Sequence, residues 1–306
     1  MSRIAVLKGG WSVERAVSLS SGHECAKALR ALGHEVTEID VTRDLAALAA
    51  ALRPRPDVVF NALHGKGGED GTVQGVLEFL RIPYTHSGVA ASAIAMHKPS
   101  AKAVFAAAGL PLVESKVVTR EALAGGDVLP RPFVVKPIDE GSSVGVRIVR
   151  EGDNGWAQEA RHWNYGAAAM VETYVPGREI TVAVMGERAL GALEIRPANA
   201  ALYDYDAKYA PGGSEHLMPA PIHPAAYDEA LRIGLGAHRA LRCRGVSRSD
   251  LRYDDTEGEP GRLVLLELNT QPGMTPTSLV PDIARHAGID FTALVRWMVE
   301  NASCDS

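Results

Sequence analysis

The sequence predicts an α/β unit with a parallel sheet, followed by two α+β units. Three observations predict it. In the first third, short apolar runs alternate with helix-length segments, which is the rhythm of parallel strands joined by helical crossovers. In the middle, apolar runs at 133–137 and 145–149 flank a glycine-serine loop and read as a hairpin. In the last third, runs at 180–185, 189–195, 245–253 and 263–268 read as further strands. A chain of 306 residues is too long for one ordinary hydrophobic core, so two or three domains are expected.

The elements follow in order. Residues 4–7 form a first buried strand, and a helix runs over 20–32, ending at Gly33. A strand at 36–39, a helix at 45–52 and a strand at 58–62 continue the alternation, with Pro54 and Pro56 marking the break before the last. A helix at 73–80 leads into Ile82-Pro83-Tyr84. In sheets of this kind ligands bind beyond the carboxyl ends of the strands. Two unusual loops lie there, Gly9-Gly10-Trp11-Ser12 and residues 64–71. A helix over 99–108 ends at Gly109, and a strand over 168–172 joins the middle hairpin in a small antiparallel sheet. The stretch 196–224, rich in Tyr, Gly, Pro and charge, has neither periodicity. A loop of that length inside a compact domain is expected to be a lid or disordered, and Tyr203, Tyr205 and Tyr209 favour a lid.

Composition excludes several classes. The chain is 46% hydrophobic and 23% charged, with net charge −5 and its charges interspersed. Duplex binding needs a concentrated basic surface, so no nucleic-acid partner is expected. No secretory leader precedes the first strand, and the apolar run 45–52 is too short to span a bilayer. A cytoplasmic protein with no membrane partner is the expectation. Cys25, Cys243 and Cys304 have no metal or redox spacing, which fits a reducing compartment.

The chemistry concentrates at strand ends. Glu267 and Asn269 end the apolar run 263–266, and side chains two apart on a strand share a face. The turn over 254–261 allows antiparallel pairing to bring Asp250 beside both. Three oxygen donors without thiolate or imidazole suit magnesium, which completes its shell from phosphates and water. A plain polar sheet edge is the alternative. Lys136 ends another apolar strand, ahead of Gly141-Ser142-Ser143-Val144-Gly145. Small residues let backbone N–H groups approach phosphate oxygens while the lysine supplies charge. Neither G-x-x-x-x-G-K-[ST] nor G-x-G-x-x-G occurs.

An ordered set of motifs makes the reading specific. Gly-Gly-x-Ser-x-Glu (9–14), Leu-His-Gly-x-Gly-Gly-Glu-Asp-Gly (63–71), Lys-Pro (136–137) and Glu-Gly-Ser-Ser-Val-Gly (140–145) are followed by Tyr-Asp-Tyr-Asp-Ala-Lys-Tyr (203–209) and Glu-x-Asn-Thr-x-Pro-Gly-Met-Thr (267–275). Together they span essentially the whole chain, and the sequence resembles the D-alanine–D-alanine ligases. The resemblance implies an ATP-grasp fold: an N-terminal Rossmann-like α/β domain (1–96), a central small domain (97–178) and a C-terminal domain (179–306) with a lid at about 196–224. It implies ATP, magnesium or manganese (two ions), two D-alanines as substrates, and a homodimer. In that chemistry ATP converts one D-alanine to an acyl phosphate, and the amine of the second displaces phosphate.

The resemblance also assigns roles by position. Lys98, Lys136 and Ser143 match ATP phosphate contacts, with Lys208 facing the phosphates from the lid. Glu172 and Val175 match the adenine side, and Glu179 the ribose. Asp250, Glu267 and Asn269 match the metal ligands. Arg248 matches the arginine on the transferring phosphoryl and carboxylate oxygens, and the Gly273 N–H an oxyanion donor. Glu14 would hold the first D-alanine's ammonium with His64 nearby, and Ser142 and Tyr209 would link Glu14 to the lid. Ser278 and Leu279 would position the second D-alanine. Blander readings stand beside some of these: a turn histidine at 64, packing tyrosines at 203 and 205, and a solvated helix-start lysine at 98. Four positions depart from the family's usual residues: Ala16 for Glu, His97 for Asp, Thr173 for Lys beside the adenine, and Ser247 for Gly. The rival functions are an ester-forming D-alanyl-D-lactate ligase, another ATP-grasp carboxylate–amine ligase, and a non-catalytic sensor. Tyr209 speaks against the first, and residues 14, 64 and 278 against the second. The intact set Lys136, Arg248, Asp250, Glu267 and Asn269 speaks against the third.

Overall fold

The computed structural model describes residues 1–197, 213–275 and 277–305. The chain opens with β1 (Arg3–Gly9), α1 (Arg15–Ala31), β2 (Glu35–Val41), α2 (Leu45–Ala51), β3 (Val58–Asn61), α3 (Thr72–Leu80) and α4 (Val89–Met96). β1 lies between β2 and β3 in a parallel sheet, and its central residues are buried on both faces, as crossover helices on both sides require. Then come α5 (Lys98–Ala107), β4 (Ser115–Thr119), α6 (Arg120–Ala124), β5 (Phe133–Pro137), β6 (Arg147–Val149), α7 (Trp156–Arg161) and β7 (Ala168–Thr173). Their strands form an antiparallel sheet in the order β4-β7-β5-β6.

The last part contains β8 (Arg178–Met185), β9 (Arg188–Pro197), β10 (Ser214–Leu217), α8 (Pro224–Ala240), β11 (Val246–Asp254), β12 (Arg262–Asn269), α9 (Leu279–His286) and α10 (Phe291–Glu300). Its sheet runs β10-β9-β8-β11-β12, antiparallel throughout.

Packing ties these layers together. Ile4, Val6, Leu29 and Phe60 share one apolar cluster with Leu193, Ile283, Val295 and Met298, so one face of the parallel sheet is sealed by α1, α9 and α10. The opposite face buries Leu7, Leu48, Leu77 and Tyr84 beneath α2 and α3. Each such side chain contributes about 1.5–3 kcal/mol on burial. α5 packs Ala101 and Phe105 against Ile180, Val182 and Leu265 of the five-stranded sheet, beside Ala230 and Ile233 of α8. The small sheet has its own core of Phe133, Val135, Trp156, Trp163 and Val171.

Several elements differ from expectation. α1 begins at Arg15, ahead of the start expected at residue 20. Ser18 accepts from the Gly9 N–H at 2.9 Å and donates to the Ala62 carbonyl at 2.7 Å, so the serines dock the helix on the sheet end. Within the stretch 196–224, β10 pairs with the end of β9 and α8 starts at Pro224. Lys208 and the tyrosines at 203, 205 and 209 lie outside the described residues. α4, α8, α9 and α10 were not foreseen. α8 has the cue of a proline in its first turn.

Candidate functional site

The loops after β1 and β3 interlock. Gly65 has φ +68, and a Cβ there would meet a Glu14 carboxylate oxygen at 2.7 Å. This glycine therefore combines a left-handed backbone with a close approach. Asp70 fixes the same loop by accepting from the N–H groups of Gly67 (2.8 Å) and Thr72 (3.0 Å). Ser12 donates to the His64 carbonyl at 2.6 Å and accepts from the Glu14 N–H at 3.2 Å. Glu14 is thereby buried beside His64.

His64 has two partners. Its Nδ1 meets Glu69 Oε1 at 2.8 Å and its Nε2 meets Ser21 Oγ at 3.3 Å. Burial lowers the imidazole pKa, yet the Glu69 hydrogen bond and the charges of Glu69 and Glu14 outweigh it and hold the pKa above its ordinary value. Burial, helped by Glu14, raises Glu69 as well, against the pull of His64. Ser21 in turn accepts from the Met274 N–H at 3.2 Å, which connects this chain to the loop after β12.

Gln271 locks that loop to the parallel sheet. Its amide donates to the Leu63 carbonyl, and its oxygen accepts from Asn61 Nδ2 at 2.8 Å. Beyond it lies Gly273, where a Cβ would meet Ser278 Oγ at 2.9 Å. The Ser278 hydroxyl accepts from the Thr275 N–H at 3.0 Å.

Across the site, residues 141–144 form a hydrogen-bonded turn, Val144 N–H to Gly141 carbonyl at 3.1 Å. Both central residues are left-handed, Ser142 at φ +49 and Ser143 at φ +58. Non-glycine residues rarely adopt that conformation, and such strain clusters at functional sites. The Ser142 hydroxyl donates to Glu14 Oε1, so the turn closes onto the loop after β1. Lys66 reinforces the junction through Glu140 at 2.6 Å.

The five-stranded sheet supplies the remaining groups. Asp250 stands opposite Glu267, and Arg248 opposite Asn269, the juxtaposition expected from spacing. Arg248 forks onto Asp250 through Nε (2.9 Å) and Nη2 (2.8 Å). The Thr181 hydroxyl also donates to Asp250, at 2.7 Å. Asn269 accepts from the Gln271 N–H at 2.8 Å. Among the described residues no three His, Cys, Asp or Glu side chains converge as a metal-binding group; the oxygen set here is two carboxylates and an amide.

Two buried lysines share one carboxylate. Glu172 takes Lys102 on Oε1 at 2.5 Å and Lys136 on Oε2, and all three are nearly inaccessible. Burial opposes each charge. For Lys136 the attraction of Glu172 and Glu267 outweighs burial and raises its pKa. The two lysines hold Glu172 low against its own burial. For Lys102 burial prevails, with Lys136 adding to it, and the pKa is lowered.

These groups line two cavities. The first is bounded by Glu14, His64, Arg248, Asn269, Gly273, Ser278 and Leu279. The second is bounded by Lys136, Ser143, Glu172, Val175, Glu179, Asp250 and Arg252, among apolar walls that include Ile148, Ile180 and Leu266. Lys98, Glu140, Gly141 and Glu267 line both. Lys98 reaches the Glu140 carbonyl and lies 3.9 Å from Glu267. Every expected site residue within the described part of the chain therefore lies at one of the two cavities.

Sequence reading missed Glu69, Lys102, Arg252 and Gln271. Glu69 sits in a motif already singled out. Lys102 and Lys98 are four apart on one helix, a spacing that puts them on one face. Two departures find local explanations. His97 caps α5, accepting from the Ser100 N–H at 3.3 Å, and Ser247 hydrogen-bonds buried His238 at 2.7 Å.

A strained small-residue turn and buried lysines on one antiparallel sheet, facing an oxygen-donor set on another, define a ligase of the ATP-grasp class. The comparisons make the family specific. Residues 46–87 match the family model described as D-ala D-ala ligase N-terminus, and residues 104–300 the one described as D-ala D-ala ligase C-terminus. The chain is 61% identical over 302 residues to the D-alanine–D-alanine ligase of Granulibacter bethesdensis, covering 99% of this chain and 98% of that one. It is 60% identical over 304 residues to that of Acidiphilium cryptum, covering 99% of each. The crystal structure of the Bacillus anthracis D-alanine–D-alanine ligase superposes with a TM-score of 0.83 at 32% identity, covering 98% of this chain and 97% of that one. The same enzyme complexed with ATP gives 0.79, also at 32% identity, with coverages of 98% and 96%. The chain belongs to the D-alanine–D-alanine ligase family.

Proposed function

We propose that this chain joins two D-alanines into D-alanyl-D-alanine at the expense of ATP, through an acyl phosphate, for peptidoglycan precursor synthesis. The observation that carries the reading is the wall common to the two cavities, formed by Lys98, Glu140, Gly141 and Glu267. A phosphoryl group leaving a nucleotide in one chamber for a carboxylate in the other must cross at that wall.

In the nucleotide chamber, Lys98, Lys136 and the N–H groups of the Ser143 turn take the phosphates. Glu179 takes the ribose and the Val175 segment the adenine. The Glu172 carboxylate is committed to its two lysines, so any adenine contact at this position falls to its backbone. In the amino-acid chamber, Glu14 and His64 hold the ammonium of the first D-alanine. Arg248 and the Gly273 N–H stabilise the oxygens on which charge develops. Ser278 receives the carboxylate of the second D-alanine, with Leu279 setting its place.

The donors Asp250, Glu267 and Asn269 fit a hard divalent cation. They offer oxygen only and leave positions for phosphate and water, as magnesium or manganese in pairs require. Asp250 has three protein donors on it, and an ionised carboxylate can accept about four, so it can serve the arginine and a cation together. Bound there, the cation would neutralise charge on the transferring phosphoryl oxygens.

We place the reaction in the cytoplasm and the chain in a homodimer. Among the described residues no helix is long and apolar enough to cross a membrane. Light scattering on the purified protein reads the dimer directly. The function is tested by coupled ADP release with D-alanine, L-alanine and D-lactate as acceptors. Release with D-alanine above the other two is expected. No release with D-alanine would reject the reading, and preferential use of D-lactate would make the enzyme ester-forming.

A further inference from the structure

Arg248, Asp250 and Arg252 alternate along β11 and so share one face of the sheet. The first two face the transfer point; Arg252 lies farther along, opposite Glu179 of β8. Its guanidinium makes three hydrogen bonds. Nε donates to the Val175 carbonyl at 3.2 Å, Nη2 to the Gly177 carbonyl at 2.8 Å, and Nη1 to Glu179 Oε1 at 3.2 Å. Two of these acceptors lie in the segment between β7 and β8, and the third is the side chain of Glu179 near the start of β8. Gly177 is seated there with φ +90, where a Cβ would meet the Tyr253 carbonyl at 2.0 Å. The Arg252 side chain is 13% exposed and that of Glu179 19%, and both line the second cavity. Among the described residues, lysines 98 and 136 are the other cations lining it, and position 173, beside the proposed adenine edge, is threonine.

We propose that Arg252 is a positioning residue for nucleotide selection. One planar fork fixes two backbone carbonyls of the adenine-side segment and the carboxylate that takes the ribose. This inference rests on the reading of Glu179 as the ribose contact. A lysine cannot reproduce it, because a single ammonium on a flexible stem does not span three acceptors in a plane. Arg252 acts through Glu179 and the segment 175–177, so its loss should disturb recognition of the sugar more than turnover.

The test is steady-state kinetics of the full-length enzyme at saturating D-alanine, with ATP, 2′-deoxy-ATP and 3′-deoxy-ATP, on wild type, Arg252→Met, Arg252→Lys and Glu179→Gln. Wild type is expected to prefer ATP over the deoxynucleotides. Arg252→Met should raise the KM for ATP about tenfold or more, the scale of a lost charge-assisted hydrogen bond, with kcat within about threefold. The deoxynucleotide-to-ATP KM ratios should fall toward those of Glu179→Gln. Arg252→Lys, which keeps the charge and most of the stem, should lose discrimination as well. If Glu179→Gln abolishes discrimination while both Arg252 variants keep the wild-type ratios, the proposal is overturned and the ribose contact stands. If Glu179→Gln itself keeps the wild-type ratios, the ribose assignment fails, and the role of Arg252 fails with it.

Discussion

Ser142 donates its hydroxyl hydrogen bond to Glu14 across 128 residues of chain, joining the turn that faces the nucleotide chamber to the carboxylate of the amino-acid chamber. Removing the hydroxyl in Ser142→Ala takes a donor from a buried carboxylate. The expected result is a fall of about 10- to 100-fold in kcat/KM for the first D-alanine, with the KM for ATP nearly unchanged. Initial rates at limiting D-alanine read this; an effect confined to ATP would contradict it.

Glu267→Gln tests the metal set. Glu267 is partly exposed at a strand end, so the change should move Tm by no more than about 2 °C. Turnover should drop about a thousandfold, and the magnesium concentration for half-maximal activity should rise. An active variant with unaltered magnesium dependence would remove Glu267 from the metal site.

The Lys102–Glu172–Lys136 cluster makes an asymmetric prediction about stability. Lys102→Met leaves one buried cation facing one buried anion, whereas Glu172→Gln leaves two buried ammonium groups that share only the charge of Glu267, felt by Lys136. Breaking a buried pair costs about 3–5 kcal/mol. Glu172→Gln should reach that range and Lys102→Met should fall below it. Urea denaturation measures both, and the reverse ranking would refute the charge argument.

The His64–Glu69 pair predicts a pH dependence. His64 has a folded-state pKa above its ordinary 6.5 because the neighbouring carboxylates outweigh burial. Its contribution to stability is therefore complete below about pH 6.5 and is lost as the pH rises through the folded value. Glu69, raised chiefly by burial, acts in the same sense, since the folded state also holds its proton more tightly. The Tm advantage of wild type over the double variant His64→Gln, Glu69→Gln should shrink as the pH rises above about 6.5. An advantage that grows with pH would show that the carboxylates do not govern His64.

How far the sequence carried can be judged on particular residues. The meeting of Asp250 with Glu267 was legible because strand periodicity is two and the turn between them is short. Lys136 and its glycine-serine loop were legible as a pair, but the left-handed backbone of Ser142 and Ser143 was not, since serine has no preference for it. Lys102 was invisible for a different reason. Its burial depends on Glu172, which is distant in sequence and meets it only when α5 and β7 come together in the fold. The helices α9 and α10 were missed because their apolar faces are matched to the parallel sheet, a partner nearly the whole chain away.

The hold of Gln271 on Asn61 and Leu63 has a mechanical consequence. The strand end bearing Asn269 and the loop bearing Gly273 and Ser278 are mortised into the parallel sheet, so these walls of the amino-acid chamber travel as one piece. The opposite wall meets that block through the Ser142 hydroxyl, through the Lys66 ion pairs, in which Lys66 is close to half exposed, and through Lys98, which reaches the Glu140 carbonyl and Glu267. The Ser142–Glu14 hydrogen bond thus spans the two walls of the chamber, beside the ion pairs of Lys66.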